Sequence, residues 1–233
     1  MPEKTLNHYL SLRFTPAYWE LPPDRQADFF PAFARELQSG ATCANFYQTA
    51  ALQAEGDFLV WSAAPLDDPA DEARIFASLG RALSARRRWI EPAAALWGYT
   101  RPSVYARNAA SAQEIDPLDS RRSTYLVLYP FVKTIQWYLL GKDTRQGMMN
   151  EHIRVGRQYP EIKQLLLYSF GVQDQEFIVV YEMETLYRFS ELVNELRGSD
   201  VREYTERDTP VYTGIWHSPE EMSALFTAQD GRQ

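Results

Sequence analysis

The sequence has few of the residues that cross-link a chain or bind a structural metal. It contains one cysteine, Cys43, among 233 residues, so no disulfide can form within the chain. Three histidines are present, and no Cys/His cluster has the spacing of a structural zinc site. These absences favour a protein that folds on its hydrophobic core, without a metal, in a reducing compartment.

Long apolar runs and clustered basic charge are also missing. The start, MPEKTLNHYL, has no basic segment followed by an apolar one, and no stretch of about 20 apolar residues could span a bilayer. The formal net charge of -7 disfavours nucleic acid, because phosphate binding relies on clustered Lys and Arg. We therefore expect a cytoplasmic protein with no membrane span and no nucleic-acid partner.

The chain does contain an order of periodic segments that occurs twice. In the first half, HYLSLRFTP alternates like a strand, and DRQADFFPAFARELQSG has helical spacing, with Pro31 leaving open where that helix starts or kinks. A hairpin turning at residues 55–57 follows, then a long helical stretch from Asp68 and a strand in LWGYTRPSVYA. The order is β-α-β-β-α-β.

After a polar segment at 106–123 the same order restarts. Strand, helix, hairpin, helix and strand are indicated in TYLVLYPFVK, DTRQGMMNEHIRVGRQYPEI, LLLYSFGVQDQEFIVVYEME, LYRFSELVNELRGS and PVYTGIWHS. Two such units predict an α+β fold of two tandem ferredoxin-like units, a dimeric α+β barrel-type fold. The predicted domains are 1–105 and 124–233, joined by a linker at 106–123 that is a candidate lid over a pocket.

His152 is the candidate functional residue of the second half. Met148, His152 and Val155 are spaced four and three apart, so they share one face of the predicted helix. An inward histidine is most often a core residue, but neutral imidazole also binds iron, and a lone axial histidine suits haem better than a bare ion. The other histidines, His8 and His217, are expected at the surface.

Several blocks between residues 125 and 214 closely resemble the chlorite dismutase family and, within it, the coproheme decarboxylases of haem biosynthesis. These blocks are YPFVKTIQWYLL, RQGMMNEHIRVGRQYPEI, YSFGVQDQEFIVVYE, FSELVNELR and DTPVYTG. The resemblance implies two ferredoxin-like halves per chain and often a ring of five chains, hence a homopentamer. It also implies coproheme or haem b as the iron porphyrin, held without a covalent bond because no CxxCH is present.

The resemblance assigns roles to residues on both sides of the porphyrin. It makes His152 the axial iron ligand and Asp200, where the family generally has glutamate, the acceptor for the other ring N–H. Tyr129 becomes the redox residue that is oxidised and then takes hydrogen from a propionate. Lys133, four residues later, matches the lysine beside the reacting propionate.

Further matches are implied around these residues. Trp137 matches a tryptophan near the proximal side of the haem, Arg197 an arginine near a second propionate, and Arg202 a propionate-binding position. Counted from His152 without a gap, Leu165 occupies the place of the distal arginine of chlorite dismutases. An aliphatic side chain there disfavours chlorite breakdown. Many decarboxylases of the family have glutamine at this place, and a one-residue bulge would bring in the adjacent Gln164.

The implied activity is peroxide-dependent oxidative decarboxylation of coproheme propionates to give haem b. Its partners would be coproheme, hydrogen peroxide and an enzyme that delivers coproheme. Two alternatives remain open from the sequence. One is a chlorite dismutase or weak haem peroxidase. The other is a non-catalytic haem-binding or haem-transfer protein, favoured by the missing distal polar group and by the absence of histidine from 106–123.

Overall fold

The computed structural model of the chain describes residues 4–41, 43–101 and 113–228. The strands are Thr5–Phe14 (β1), Cys43–Gln48 (β2), Phe58–Pro65 (β3), Ile90–Thr100 (β4), Tyr125–Lys133 (β5), Lys163–Tyr168 (β6), Phe177–Met183 (β7), Thr205–Arg207 (β8) and Tyr212–His217 (β9). The helices are Pro16–Trp19 (α1), Pro23–Ala27 (α2), Phe29–Gln38 (α3), Asp71–Arg86 (α4), Ile135–Leu139 (α5), Lys142–Gly156 (α6), Leu186–Leu196 (α7) and Pro219–Phe226 (α8), with a 3-10 helix at Asp200–Tyr204.

The predicted α+β class and the repeated order of elements are confirmed, and the chain forms two compact units. The first unit contains the described residues up to 97, together with 117–121 and 213–228. The second contains 98–101, 113–116 and 122–212. This grouping differs from the predicted domain bounds because β9 pairs with β2 and α8 packs on α3, which places the end of the chain in the first unit.

The first unit is built on a sheet with the strand order β4-β1-β3-β2-β9. One face of this sheet carries aromatic side chains that pack on the helices. The ring of Phe58 lies 5.1 Å from that of Phe14 and 5.0 Å from that of Phe30 in α3. Phe226 of α8 completes the group, 5.1 Å from Phe14. Burial of such large rings supplies most of the driving force for folding this unit.

The helical segment around Pro31 is divided in two. α2 ends at Ala27 and α3 begins at Phe29, so Pro31 is the third residue of α3. The first-turn N–H groups of a helix have no partner within it, and a proline there removes no helical hydrogen bond. The proline is therefore accommodated at a helix start and does not kink the helix.

The second unit has a sheet of β6, β7, β5 and β8, in that order of pairing. Val127, Val179 and Tyr181 belong to a buried cluster on the face that α6 and α7 cover. Val155 of α6 and Phe189 of α7 pack against it. This face positions the candidate site.

The end of the predicted linker is part of the second unit. Glu114 forms a parallel bridge with Gln164, and Ile115 is buried. The Gln113 amide Nε2 donates to the carbonyl oxygens of residues 156, 159 and 162, at 3.2, 2.9 and 3.2 Å. Residue 113 is thereby tied to the C-terminal end of α6 and to the segment that follows it. Residues 106–112 lie outside the described residues, and the lid stays a prediction.

The expectation of a surface position is wrong for His8. This residue lies in β1 with 9% of its surface exposed, and burial lowers its pKa to about 4. His217 is half-buried, with Nε2 3.2 Å from Oε1 of Gln48. Strand alternation alone did not reveal that both faces of β1 are covered.

In the described ranges, no helix is long and apolar enough to cross a bilayer.

A buried ion pair in the second unit gives the first prediction. Arg122 Nη1 lies 3.3 Å from Glu182 Oε1, with side chains 1% and 3% exposed, and burial raises the pKa of Glu182. Arg122→Met leaves that carboxyl without its cation, so we expect about 3–5 kcal/mol of lost stability in urea unfolding. Adding Glu182→Leu removes the uncompensated group and should restore much of the loss. A double variant as unstable as the single one would contradict this account.

Candidate functional site

The site is built on the helix-facing side of the second sheet. Tyr129 pairs with Val179, and Val179 with Leu166, so these three side chains point to one face. Val127, Tyr181 and Gln164 form the next row on the same face. The predicted redox residue Tyr129 therefore lies beneath the helices that carry His152 and lead to Arg197.

Tyr129 is half-buried, and burial raises the pKa of its phenol. A hydrogen bond from Tyr181 opposes this shift. Asp208 raises the pKa further, while Arg197 and Arg202 lower it. These charges come from three successive segments. Arg197 follows α7, Arg202 lies in the 3-10 helix and Asp208 follows β8. Tyr129 is therefore protonated at neutral pH in a charged setting.

Lys133, at the end of β5, is 8% exposed. Its Nζ donates to the carbonyl oxygen of Val201 at 3.3 Å and to Oγ1 of Thr205 at 3.1 Å. Lys133 Nζ also lies 4.8 Å from the ring centre of Trp137, so Trp137, another predicted site residue, is next to Lys133. Burial, then the charge of Arg202, lower the pKa of Lys133 to about 8, and Glu176 opposes them. Lys133 is a buried cation whose charge is costly and easily lost.

Arg197 and Arg202, both predicted to bind propionates, share one protein carboxylate. Asp208 Oδ2 accepts from Nη1 of Arg197 at 2.7 Å and from Nη1 of Arg202 at 2.9 Å. The two guanidinium groups are thus held side by side around a single negative charge. Sequence reasoning assigned no role to Asp208, although this residue begins the block DTPVYTG directly after β8. Two cations against one anion leave net positive charge for a further carboxylate.

His152 lies on α6, where Val155 anchors the helix to the sheet and Gln113 holds its end. The Nδ1 atom of His152 is buried and has no hydrogen-bond partner in the described structure. Burial, and then the charge of Lys133, lower the pKa of His152 to about 4. The imidazole is therefore neutral at physiological pH, the form that binds metals.

The predicted acceptor Asp200 does not contact this ring. Asp200 is exposed at the first turn of the 3-10 helix, and Nδ1 of His152 has no partner in the described ranges. The pairing of Asp200 with His152 therefore stays a prediction. Within those ranges no group of three or more His, Cys, Asp or Glu residues could hold a metal ion. A bare ion at His152 would lack the further protein ligands it needs.

The placement of Leu165 on the distal side is corrected by the strand register. Leu165 pairs with Val180 and is buried on the face opposite Tyr129, whereas Gln164 and Leu166 share the Tyr129 face. The pairing is continuous from Lys163 to Tyr168, so no bulge occurs in β6. If the position of a strand residue is miscounted by one, its side chain is assigned to the wrong face of the sheet. Gln164 is the polar side chain that β6 offers to the site.

Arg145 is a second residue that sequence reasoning missed. It lies seven positions before His152, two helical turns away on the same face of α6. Its Nε is buried and has no hydrogen-bond partner in the described structure. An arginine and a histidine with unsatisfied buried nitrogens therefore line one helix face. The sequence signal that could have identified Arg145 was its i, i+7 spacing from His152.

Comparisons with known proteins agree with this architecture. The chlorite dismutase family profile matches residues 24–217. The coproheme decarboxylase of Mycolicibacterium smegmatis is 29% identical over 224 residues, covering 94% of each chain. That of Staphylococcus carnosus is 35% identical over 80 residues, covering 32% of each chain.

Solved structures give the same fold. Chlorite dismutase from Candidatus Nitrospira defluvii in complex with imidazole superposes with a TM-score of 0.80, at 20% identity, covering 96% of this chain and 95% of that one. A mutant of the same enzyme gives 0.81, at 20% identity and 96% coverage of both chains. The chain belongs to the chlorite dismutase family.

The lowered pKa of Lys133 predicts a pH-dependent stability. Its pKa falls from 10.5 to about 8 on folding, so the buried charge costs stability below pH 8, and the cost is relieved as the pH rises from 8 to 10.5. Lys133→Met should therefore raise the unfolding free energy at pH 7 by about 1–3 kcal/mol. This advantage should shrink above pH 8 in urea titrations. The exposed Lys142→Met is the control, and an equal gain there would contradict the role of burial.

Proposed function

We propose that this protein is a coproheme decarboxylase, which uses hydrogen peroxide to convert propionates of iron coproporphyrin into the vinyl groups of haem b. The observation that carries the proposal is the meeting of three features on one face of the second unit. They are a half-buried tyrosine at Tyr129, a neutral histidine at His152 and a set of cations around them.

His152 suits an axial iron ligand. Its imidazole is neutral, its Nδ1 is buried and unsatisfied in the described structure, and the helix that carries it is fixed at its end by Gln113. A porphyrin supplies the remaining iron ligands itself, which fits a single protein ligand. We assign His152 to the iron of coproheme or haem b.

The cations suit a substrate with several carboxylates. Lys133 is a point charge close to His152, and Arg197 and Arg202 form the pair around Asp208. We add Arg145, whose buried Nε lacks a partner in the described ranges. Guanidinium groups bind carboxylates in two-pronged geometry, and an uncharged porphyrin edge would give the buried Nε of Arg145 no acceptor.

Tyr129 is placed to carry the redox step. When bound, the iron porphyrin supplies a peroxide-driven oxidation. Tyr129 gives up an electron together with its phenolic proton, and then takes a hydrogen atom from the propionate chain. Each propionate loses its carboxyl group as carbon dioxide and becomes a vinyl group, which releases two electrons and one proton. One hydrogen peroxide takes up those two electrons and two protons, one of them from solvent, to become two waters. Lys133 holds the reacting carboxylate.

Chlorite breakdown is the less suitable reaction for this site. β6 presents Gln164 and Leu166 to the Tyr129 face, and neither can stabilise a departing oxyanion with a positive charge. Gln164 can instead donate a neutral hydrogen bond to bound peroxide. The lack of a distal polar group was the argument for a non-catalytic haem carrier. Gln164 on this face weakens that argument.

Assembly into a homo-oligomer, a pentamer by family resemblance, is part of the proposal. Ile135 and Leu139 of α5 are 73% and 80% exposed, and the ring of Tyr138 in the same helix lies 6.3 Å from that of the exposed Phe170. Exposed apolar side chains of this kind are usual at contacts between chains. We also propose cytoplasmic location and delivery of coproheme by a partner enzyme.

The test is a hydrogen peroxide titration of the coproheme-loaded protein, followed by porphyrin mass. We expect stepwise loss of two carboxyl groups in the parent and none in Tyr129→Phe. Tyr125→Phe, on the same strand and face, should behave as the parent. His152→Ala should lose the absorption spectrum of the histidine-bound iron. Bleaching of the parent porphyrin without loss of mass as carbon dioxide would overturn the proposal.

Arg145 gives a separate prediction on substrate binding. Arg145→Gln removes a half-buried cation and should weaken coproheme binding roughly 10- to 150-fold, since a charge-assisted hydrogen bond contributes about 1.5–3 kcal/mol. Haem b, with fewer carboxylates, should lose less. Arg154→Gln removes an exposed arginine of the same helix, paired with Glu151, and should bind as the parent does. Equal weakening by the two substitutions would exclude a specific role for Arg145.

A further inference from the structure

The strand register of β5 changes at Lys133. β5 pairs with β7 from Tyr125 to Phe131, whereas its last residues, Val132 and Lys133, pair with β8, and the register shifts between those two. A shift of this kind, as in a β-bulge, disrupts the ladder locally and leaves a backbone group to find another partner. The direction of the Lys133 side chain therefore depends on that partner.

The partner is the carboxylate of Glu176. The backbone N–H of Lys133 donates to Oε2 of Glu176 at 2.8 Å. Glu176 is half-buried and directly precedes β7, and its own carbonyl oxygen accepts from the N–H of Ser169 at 2.8 Å. This second bond closes the turn between β6 and β7, so the carboxylate is carried by a fixed segment. A carboxylate is also a strong acceptor for a backbone N–H that is shielded from water.

The same carboxylate oxygen holds the segment that follows Lys133. The hydroxyl of Tyr138, in α5, donates to Oε2 of Glu176. Between these two points, the N–H of Thr134 donates to the carbonyl oxygen of Tyr204 at 3.0 Å. The backbone of Lys133 is thus fixed by its own N–H, by that of the next residue and by the helix that follows.

The far end of the Lys133 side chain is held by different residues. Its Nζ donates to Val201 and Thr205, which lie in segments that follow α7. A lysine stem is flexible, so the place of its ammonium is set by what holds its two ends. Glu176 holds the backbone end, and its negative charge also favours the ammonium form of Lys133.

We propose that Glu176 is a positioning residue for Lys133, whose carboxylate fixes the end of β5 so that the ammonium lies where a substrate carboxylate is bound. The proposal rests on the role given to Lys133 in the proposed function. Glu176 touches neither the substrate nor the reacting atoms, and it acts through the backbone of Lys133. Without this bond the N–H of Lys133 would need another acceptor, and the end of β5 would move to reach one.

The first experiment uses the protein without porphyrin. The chain has four lysines, so labelling lysine alone with nitrogen-15 gives at most four backbone amide signals, and Lys133→Arg identifies that of Lys133. Glu176→Leu removes the acceptor, so hydrogen exchange of the Lys133 amide should accelerate roughly tenfold or more, the effect of one hydrogen bond to a charged group. Glu176→Gln keeps an oxygen acceptor and should retain most of the protection.

The matched control is Glu184→Leu. Glu184 lies just beyond the other end of β7 and accepts from the hydroxyl of Thr124 at 2.6 Å, with no bond to Lys133 in the described structure. This variant should leave exchange at the Lys133 amide unchanged. If Glu176→Leu also leaves it unchanged, or Glu184→Leu accelerates it equally, the positioning role is overturned.

A second measurement separates this inference from the proposed function. In the coproheme-loaded protein, Glu176→Leu should slow the first loss of carbon dioxide roughly tenfold, whereas Glu176→Gln should stay close to the parent. In a Lys133→Met background, Glu176→Leu should slow the reaction no further, because a positioning residue has no effect once the residue it positions is gone.

The outcomes distinguish the two claims. Slowing by the same factor in both backgrounds, or equally by leucine and glutamine at position 176, would overturn the role of Glu176. If Lys133→Met has no measurable turnover, the comparison of leucine with glutamine decides. If the parent releases no carbon dioxide, the proposed function fails, and the amide exchange still decides whether Glu176 fixes Lys133.

Discussion

The antiparallel register between β5 and β7 is the constraint on which the site depends. It places Tyr129 opposite Val179 and Tyr181 opposite Val127, so both tyrosines face α6 and α7. β6 continues the same register and adds Gln164 to that face. Because side chains alternate along a strand, a shift of one residue would remove all of them from the site together. The apolar cluster beneath the helices holds this register, since the same shift would expose its valines.

The buried positive charge that the proposed function uses lowers the stability of this face. Lys133 is buried near Arg202 and His152, and both its burial and the charge of Arg202 disfavour its own charge. A protein selected for stability alone would fill the position with an apolar side chain. The Asp208 carboxylate relieves part of the repulsion by pairing with both Arg197 and Arg202. The remaining positive charge is what makes the face suitable for a substrate with several carboxylates.

The order of elements and the residues of the motifs could be predicted from sequence, because hydrophobic periodicity and local spacing are properties of short segments. His152 and Val155 were expected on one helix face, and both lie on α6, which packs on the sheet. The side chain that β6 presents to Tyr129 could not be predicted by counting, since a difference of one residue separates Gln164 from Leu165. Asp208 begins the block DTPVYTG, but nothing within that block indicated its pairing with Arg197 and Arg202.

The sequence by itself determined the α+β class, the repeated β-α-β-β-α-β order and the family, which are encoded in local pattern and in blocks of similarity. Only the tertiary structure decided which side of β6 faces Tyr129 and which carboxylate pairs Arg197 with Arg202. The physical reason is that strand pairing and burial are set between segments distant in sequence. Hydrogen bonds and pKa shifts follow from that pairing, and no single segment contains the information.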